Sequence, residues 1–237
     1  MPLIIAHRGA SAYAPENTMA AFELARQQAA DMIELDVRRT ADGQLVVFHD
    51  ETTERWNGQA LPVAHCTLAE LQALDIGGER VPELEEVLEF ARATGMRLNI
   101  ELKTADTVAR CAELLYVFGL VEHVIVSSFS EAALRDLRAI APAVPRAYLM
   151  GSHTFHPSVR ARELWPFFAL RAVEAVAWHP YYDLPMLDRL VPLVRRAGYQ
   201  VNVWTVDDPD RMRALAALGV SGIITNRPDL ARQVLQS

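Results

Sequence analysis

The sequence predicts a (β/α)8 TIM-type barrel with a β-hairpin extension and a small cap insertion after the second barrel strand. Three observations point there. Short β-branched or apolar runs alternate with longer stretches of helical period along all 237 residues, the βαβα pattern of a parallel sheet. Nine such runs occur, one more than a barrel needs, and the segment joining the second and third, Arg38–Gln44, is too short for a parallel crossover. Polar residues capable of chemistry cluster where the runs end, which is where barrel enzymes carry their working groups.

The strands fall near 3–7, 32–37, 45–49, 97–102, 123–127, 146–150, 175–179, 200–205 and 222–225. A helical stretch, Asn17–Ala30, follows the first, and Asn17 reads as its N-cap first and as a site residue second. After the second strand, Asp42-Gly43 is a hairpin signal, so 45–49 returns antiparallel and His49 comes level with Asp36. Thr52–Gly78 is then an excursion placed to cap the barrel mouth, with Thr67 and Glu70 spaced as a capping box. The helical stretches Val81–Thr94, Ala105–Phe118, Glu131–Ile140, Pro185–Ala197 and Pro209–Leu218 separate later strands. Gly95, Gly119, Gly198 and Gly219 stop helices, and Asp208-Pro209 starts one. The apolar stretch Leu164–Leu170, with Trp165, Phe167 and Phe168, reads as helix core, a lipid contact being the alternative. No linker, repeat or composition break divides the chain, so residues 1–237 read as one domain with 52–78 inside it.

Composition narrows the classes of function. With 51% apolar residues a sizeable core is available, yet no apolar run approaches the roughly 18 residues of a membrane span. Met1-Pro2 leads directly into Leu3-Ile4-Ile5 without a basic start or a cleavage site, so a cytoplasmic protein is expected. The net charge of −7 and the lack of a basic run remove the electrostatic footprint of a nucleic-acid binder. Cys66 and Cys111 fit no zinc spacing and read as reduced thiols. Nothing in the sequence fixes an oligomeric state. Of 23 basic residues 22 are arginine, which singles out Lys103.

The first strand ends in His7-Arg8-Gly9, the second carries Glu34 and Asp36, the hairpin arm ends in His49-Asp50, and the next strand carries Glu101 and Lys103. Residues two apart share a strand face, so Glu34 with Asp36 and Glu101 with Lys103 converge inside the barrel. Three carboxylates without a cation repel one another, so a hard divalent ion is their natural occupant: Mg2+ or Ca2+, with Mn2+ also admissible. Two imidazoles, an arginine and a lysine around the same mouth suit phosphoryl chemistry, in which positive charge is placed around phosphorus and one acid and one base move protons. His65, His123, His153 and His156 read as structural.

The motifs His7-Arg8-Gly9, Ala14-Pro15-Glu16-Asn17-Thr18, Ile33-Glu34-Leu35-Asp36-Val37, Val47-Phe48-His49-Asp50, Asn99-Ile100-Glu101-Leu102-Lys103, Ser127-Ser128-Phe129, Val203-Trp204-Thr205 and Gly222-Ile223-Ile224-Thr225-Asn226-Arg227-Pro228 resemble those of the glycerophosphodiester phosphodiesterases, in order and over nearly the full chain. The resemblance implies a (β/α)8 barrel that uses Mg2+ or Ca2+ to cleave glycerophosphodiesters to sn-glycerol 3-phosphate and an alcohol. By the same resemblance His7 and His49 are the acid/base pair, and Glu34, Asp36 and Glu101 are metal ligands. Arg8 and Lys103 contact phosphate, and Trp204 lies near substrate. Glu54-Arg55-Trp56-Asn57-Gly58 and Cys66 depart from the family's usual pattern; they lie in the expected cap, so they leave the substrate open rather than the reaction. Rival readings are cleavage of lysophospholipids or formation of a cyclic phosphate, a Schiff-base enzyme using Lys103, and a binding module without catalysis. Glu101 at two residues from Lys103 speaks against the Schiff base, because it holds the ammonium charged.

Overall fold

Eight parallel strands close into a barrel, and a ninth lies beside the second. The computed structural model describes residues 1–151 and 157–236. The strands are β1 (Leu3–His7), β2 (Met32–Arg39), β3 (Leu45–Val47), β4 (Arg97–Leu102), β5 (Val124–Ser128), β6 (Arg146–Met150), β7 (Ala177–Pro180), β8 (Gln200–Val203) and β9 (Gly222–Thr225). Parallel pairing runs from β1 through β2 and β4 to β9, and β9 closes on β1. β2 extends beyond the barrel: β1 pairs only as far as Glu34, and antiparallel β3 takes that vacated side from Val37 onward.

Around the strands pack α1 (Met19–Gln27), α2 (Glu54–Asn57), α3 (Leu68–Gln72), α4 (Leu84–Thr94), α5 (Val108–Phe118), α6 (Glu131–Ile140), α7 (Pro157–Leu164), α8 (Phe167–Ala172), α9 (Leu187–Arg196), α10 (Pro209–Ala217) and α11 (Pro228–Gln236). Two large apolar clusters fill the space between strands and helices. One joins Leu35, Val37 and Ile100 to Leu84, Leu88 and Leu115; the other joins Trp178, Val201 and Val203 to Leu187, Leu190 and Leu215. Each such side chain, fully buried, contributes about 1.5–3 kcal/mol relative to exposure. A smaller cluster unites Ile5, Met32, Ile125, Ala147, Ala177 and Ile224. Residues from six strands can touch one another only in the lumen, so this cluster plugs the barrel. The two-residue repeat then lifts His7, Glu34 and Ser127 one rung above the plug, toward the C-terminal mouth.

Three expectations need correction. The hairpin loop has three residues rather than two: Gly43 N donates to Thr40 O at 3.1 Å and Gly43 takes φ 87°. Val37 therefore faces Val47, and Phe48 N, not His49, meets Asp36 O at 2.9 Å. Asn17 is not the cap of α1. That role falls to Thr18, whose side chain accepts from Ala21 N, while Asn17 takes φ 57° and turns inward. The Leu164–Leu170 stretch is only partly core: Leu170 is buried, but Trp165 is 53% and Phe168 76% exposed. Thr67 and Glu70 do form the expected capping box at α3. His65 and His123 lie on the surface, and His153 and His156 fall outside the described residues. No helix among the described residues is long and apolar enough to cross a membrane.

Candidate active site

The mouth begins with the turn after β1. Arg8 and Gly9 both have positive φ, 56° and 83°, which swings the Arg8 amide onto Glu34 Oε2 at 2.9 Å. A Cβ at position 9 would stand 2.7 Å from the backbone of Ala21, so only glycine lets α1 approach this closely. One turn later Asn17 pins Asp36 twice: its Nδ2 donates to Asp36 Oδ2 at 2.8 Å and its Oδ1 accepts from Asp36 N at 3.3 Å.

Glu34, Asp36 and Glu101 are buried and each offers an oxygen within 4.8 Å of the others. Register puts Asp36 opposite Glu101. Lys103 Nζ lies between them, 2.7 Å from Asp36 Oδ1 and 2.6 Å from Glu101 Oε1, and Arg8 Nε stands 3.1 Å from Asp36 Oδ2. Burial works against the Asp36 charge, but Lys103 and Arg8 outweigh it and hold that carboxyl below its ordinary range. The other two respond oppositely. Burial, then the charges of Asp36 and Glu101, raises Glu34 well above the usual carboxyl range. Burial, opposed by Lys103 but aided by Asp36, pushes Glu101 up to about 7. Ionised together, the three would carry more negative charge than Lys103 and Arg8 balance, and the two raised carboxyls register that excess. Three oxygen donors with that excess fit a hard divalent ion.

Both imidazoles are oriented through Nδ1. His49 Nδ1 lies 2.9 Å from Asp50 Oδ1, Arg55 Nε donates to Asp50 Oδ2 at 2.6 Å, and Arg38 Nε holds the His49 carbonyl at 2.9 Å. Glu16 ties the loops together by accepting from both Arg8 and Arg55. His7 Nδ1 lies 2.7 Å from Asn226 Oδ1. Burial first, then Arg8, lowers His7 to about 4; burial also lowers His49, with Arg8 and Lys103 adding to it against Asp36. Both shifts favour the neutral imidazole, and with Nδ1 engaged each ring has Nε2 as its free nitrogen.

Of the eight residues singled out in the sequence, His7, Arg8, Glu34, His49, Glu101, Lys103 and Trp204 line one cavity of about 180 Å3. The eighth, Asp36, is 1% exposed and lies behind Lys103 and Arg8. Trp204 forms a wall: its Nε1 donates to His179 O at 2.8 Å and its ring meets Phe129 edge-on, centroids 5.5 Å apart. Sequence reasoning missed Asn99 and Ser127, both essentially fully buried on the cavity lining, with the Asn99 amide atoms and the Ser127 hydroxyl lacking partners among the described residues. Strand alternation could have found Asn99, which shares a face with Glu101. It also left out Asn226 and Asp207.

Fold and cavity together define the class: a (β/α)8-barrel enzyme whose mouth combines carboxylates, imidazoles and fixed cations. The chain belongs to the Glycerophosphoryl diester phosphodiesterase family, whose sequence profile matches residues 7–230, and is a phosphoric diester hydrolase. A glycerophosphodiester phosphodiesterase of Caldanaerobacter subterraneus subsp. tengcongensis is 38% identical over 241 residues, which cover 96% of this chain and 95% of that one. The solved glycerophosphodiester phosphodiesterase of Agrobacterium tumefaciens superposes with a TM-score of 0.82 at 35% identity, over 98% of this chain and 100% of that one. An Oleispira antarctica phosphodiesterase, solved in complex with the product sn-glycerol-3-phosphate, gives 0.86 at 29% identity, over 100% and 98%.

Proposed function

We propose that this enzyme hydrolyses deacylated phospholipids, such as glycerophosphocholine or glycerophosphoethanolamine, to sn-glycerol 3-phosphate and the free alcohol, using a divalent cation and the pair His7 and His49. The observation that carries the reading is the meeting of both imidazoles, the carboxylate trio and two fixed cations on one small cavity. Glu34, Asp36 and Glu101 would hold Mg2+, Ca2+ or Mn2+. Such an ion supplies Lewis-acid polarisation of the phosphate and neutralises its charge. Arg8 and Lys103 steady the phosphate, and Trp204 with Phe129 walls the glycerol side. One histidine, neutral, takes a proton at Nε2 from the attacking hydroxyl or water; the other enters the step protonated at Nε2 and gives that proton to the departing alkoxide. Asn99 and Ser127 offer unused hydrogen-bonding atoms to the glycerol hydroxyls. We read the whole chain as one barrel domain, with 52–78 as a cap beside the mouth. Arg55 of that segment, bonded to Asp50 and Glu16, supports this reading.

At about 180 Å3 the cavity is smaller than the roughly 300–1,000 Å3 of drug-sized pockets, which favours a phosphoglycerol end over an acylated one. A neighbouring cavity of about 160 Å3, apolar on the side of Phe129, Leu149 and Met150 and charged on that of Arg162 and Glu163, favours the second reading, lysophospholipid cleavage. Lys103 is a poor Schiff-base nucleophile here: burial lowers its basicity, but Asp36 and Glu101 outweigh burial and hold it charged. The test is product analysis by 31P NMR with glycerophosphocholine, glycerophosphoethanolamine and lysophosphatidylcholine. Rapid formation of sn-glycerol 3-phosphate from the first two is expected. Faster turnover of the lysophospholipid, or accumulation of a cyclic phosphate, would replace this reading with the second.

A further inference from the structure

The His7 ring is anchored by a chain of hydrogen bonds that reaches beyond the cavity. Asn226 Oδ1 lies 2.7 Å from His7 Nδ1, and Asn226 Nδ2 donates to Asp207 Oδ2 at 2.6 Å. Asp207 Oδ1 accepts twice more, from Asn226 N at 2.8 Å and from Thr225 Oγ1 at 2.7 Å. Ser11 Oγ stands 2.8 Å from Asn226 Oδ1 and 2.7 Å from the His7 carbonyl. An amide side chain has a donor end and an acceptor end, whereas an ionised carboxylate only accepts. Asp207 therefore requires the NH2 end of Asn226, which turns the amide oxygen to His7. That oxygen in turn requires a proton on Nδ1. Neutral His7 is left with its lone pair on Nε2, the nitrogen that faces the trio, 4.0 Å from Glu34 Oε2.

We infer that Asp207 is a positioning residue: acting through Asn226, it selects the His7 tautomer whose Nε2 is free to work in the cavity. The inference rests on the acid/base role proposed for His7. Asp207 does not line the cavity and works only by denying Asn226 the flipped orientation. A flipped amide would present NH2 to Nδ1, move the ring proton to Nε2 and block the working nitrogen.

Asp207→Asn tests this. The substituted side chain keeps an oxygen for Thr225 and the 226 amide, so the loop stays bonded. Its NH2, however, now calls for the oxygen of Asn226, and the amide turns over. With 15N-labelled histidines, and the His7 signals assigned by their loss in His7→Gln, the wild type should show Nδ1 protonated and Nε2 bare. Asp207→Asn should show the reverse, with kcat on glycerophosphocholine lowered about 10–100-fold and KM close to wild type. The double variant Asp207→Asn with Asn226→Asp exchanges carboxylate and amide, restores an acceptor to Nδ1, and should recover both the tautomer and most of kcat. It also keeps the test decisive if the single variant folds poorly. A wild-type tautomer in Asp207→Asn overturns the inference whatever happens to kcat, and so does a double variant that fails to restore it. The tautomer readout needs no turnover, so it stands apart from the catalytic role of His7, which His7→Ala probes.

Discussion

His7→Ala and His49→Ala should each lower kcat/KM by on the order of 10²–10⁴, the usual worth of a positioned acid or base. The two losses should differ in kind. A diester with a good leaving group needs no proton on the departing oxygen, so it should rescue the variant that lost the acid and leave the other slow. The geometry makes both rings candidates for either role: each is partly buried, each is lowered by its surroundings, and each has Nδ1 engaged, by Asn226 and by Asp50. Rates measured for both variants on glycerophosphocholine and on an aryl phosphodiester decide the assignment. Equal rescue of both, or of neither, contradicts divided roles and points to positioning alone.

Lys103→Met should cost about 3 kcal/mol in kcat/KM, on the order of 10²-fold, if the ammonium stabilises charge on the phosphate. Lys103→Arg keeps the charge but is longer and planar, and between Asp36 and Glu101 at 2.7 and 2.6 Å there is room for one nitrogen rather than a fork. Partial recovery is expected. The competing role, neutralising the carboxylates, is visible in the same two distances. It predicts that arginine serves nearly as well and that methionine lowers the melting temperature more than the rate. Measuring kcat/KM and Tm at saturating cation separates the two, because a bound ion relieves the repulsion within the trio. A fully active Lys103→Arg enzyme removes Lys103 from the phosphate contacts.

The barrel was legible because a parallel sheet needs crossovers, and a segment as short as Arg38–Gln44 cannot supply one. The register of β3 was not legible. Asp42-Gly43 signals a hairpin without stating whether two or three residues close it, and one residue moves Phe48 into the place expected of His49. His49 still reaches the cavity, since β3 ends at Val47 and the chain turns over the mouth. Charged residues at strand ends announce themselves: a buried carboxylate needs a reason, and three need a common one. Amides and hydroxyls carry no such signature. Asn17 reads first as a cap, the job most common for asparagine before a helix, and only second as a site residue, although Thr18 beside it does the capping and Asn17 holds Asp36. Asn226 meets His7 across 219 positions of sequence, a contact that closure of β9 on β1 creates and no local pattern reveals. Trp165 and Phe168 look like core by composition, yet they lie on the outward face of the α7–α8 region while Leu170 is buried.

The central claim, that the trio Glu34, Asp36 and Glu101 makes this barrel a cation-dependent phosphodiesterase, is tested most directly by turnover of glycerophosphocholine after chelation and re-addition of metal. Protein stripped with EDTA and verified metal-free should release no sn-glycerol 3-phosphate. Mg2+, Ca2+ or Mn2+ should restore the reaction, and Asp36→Asn should need a higher concentration of the same ion for half-maximal rate, since it removes one ligand charge while keeping the shape. Full activity in verified metal-free protein, or an unchanged ion requirement in Asp36→Asn, would contradict the assignment.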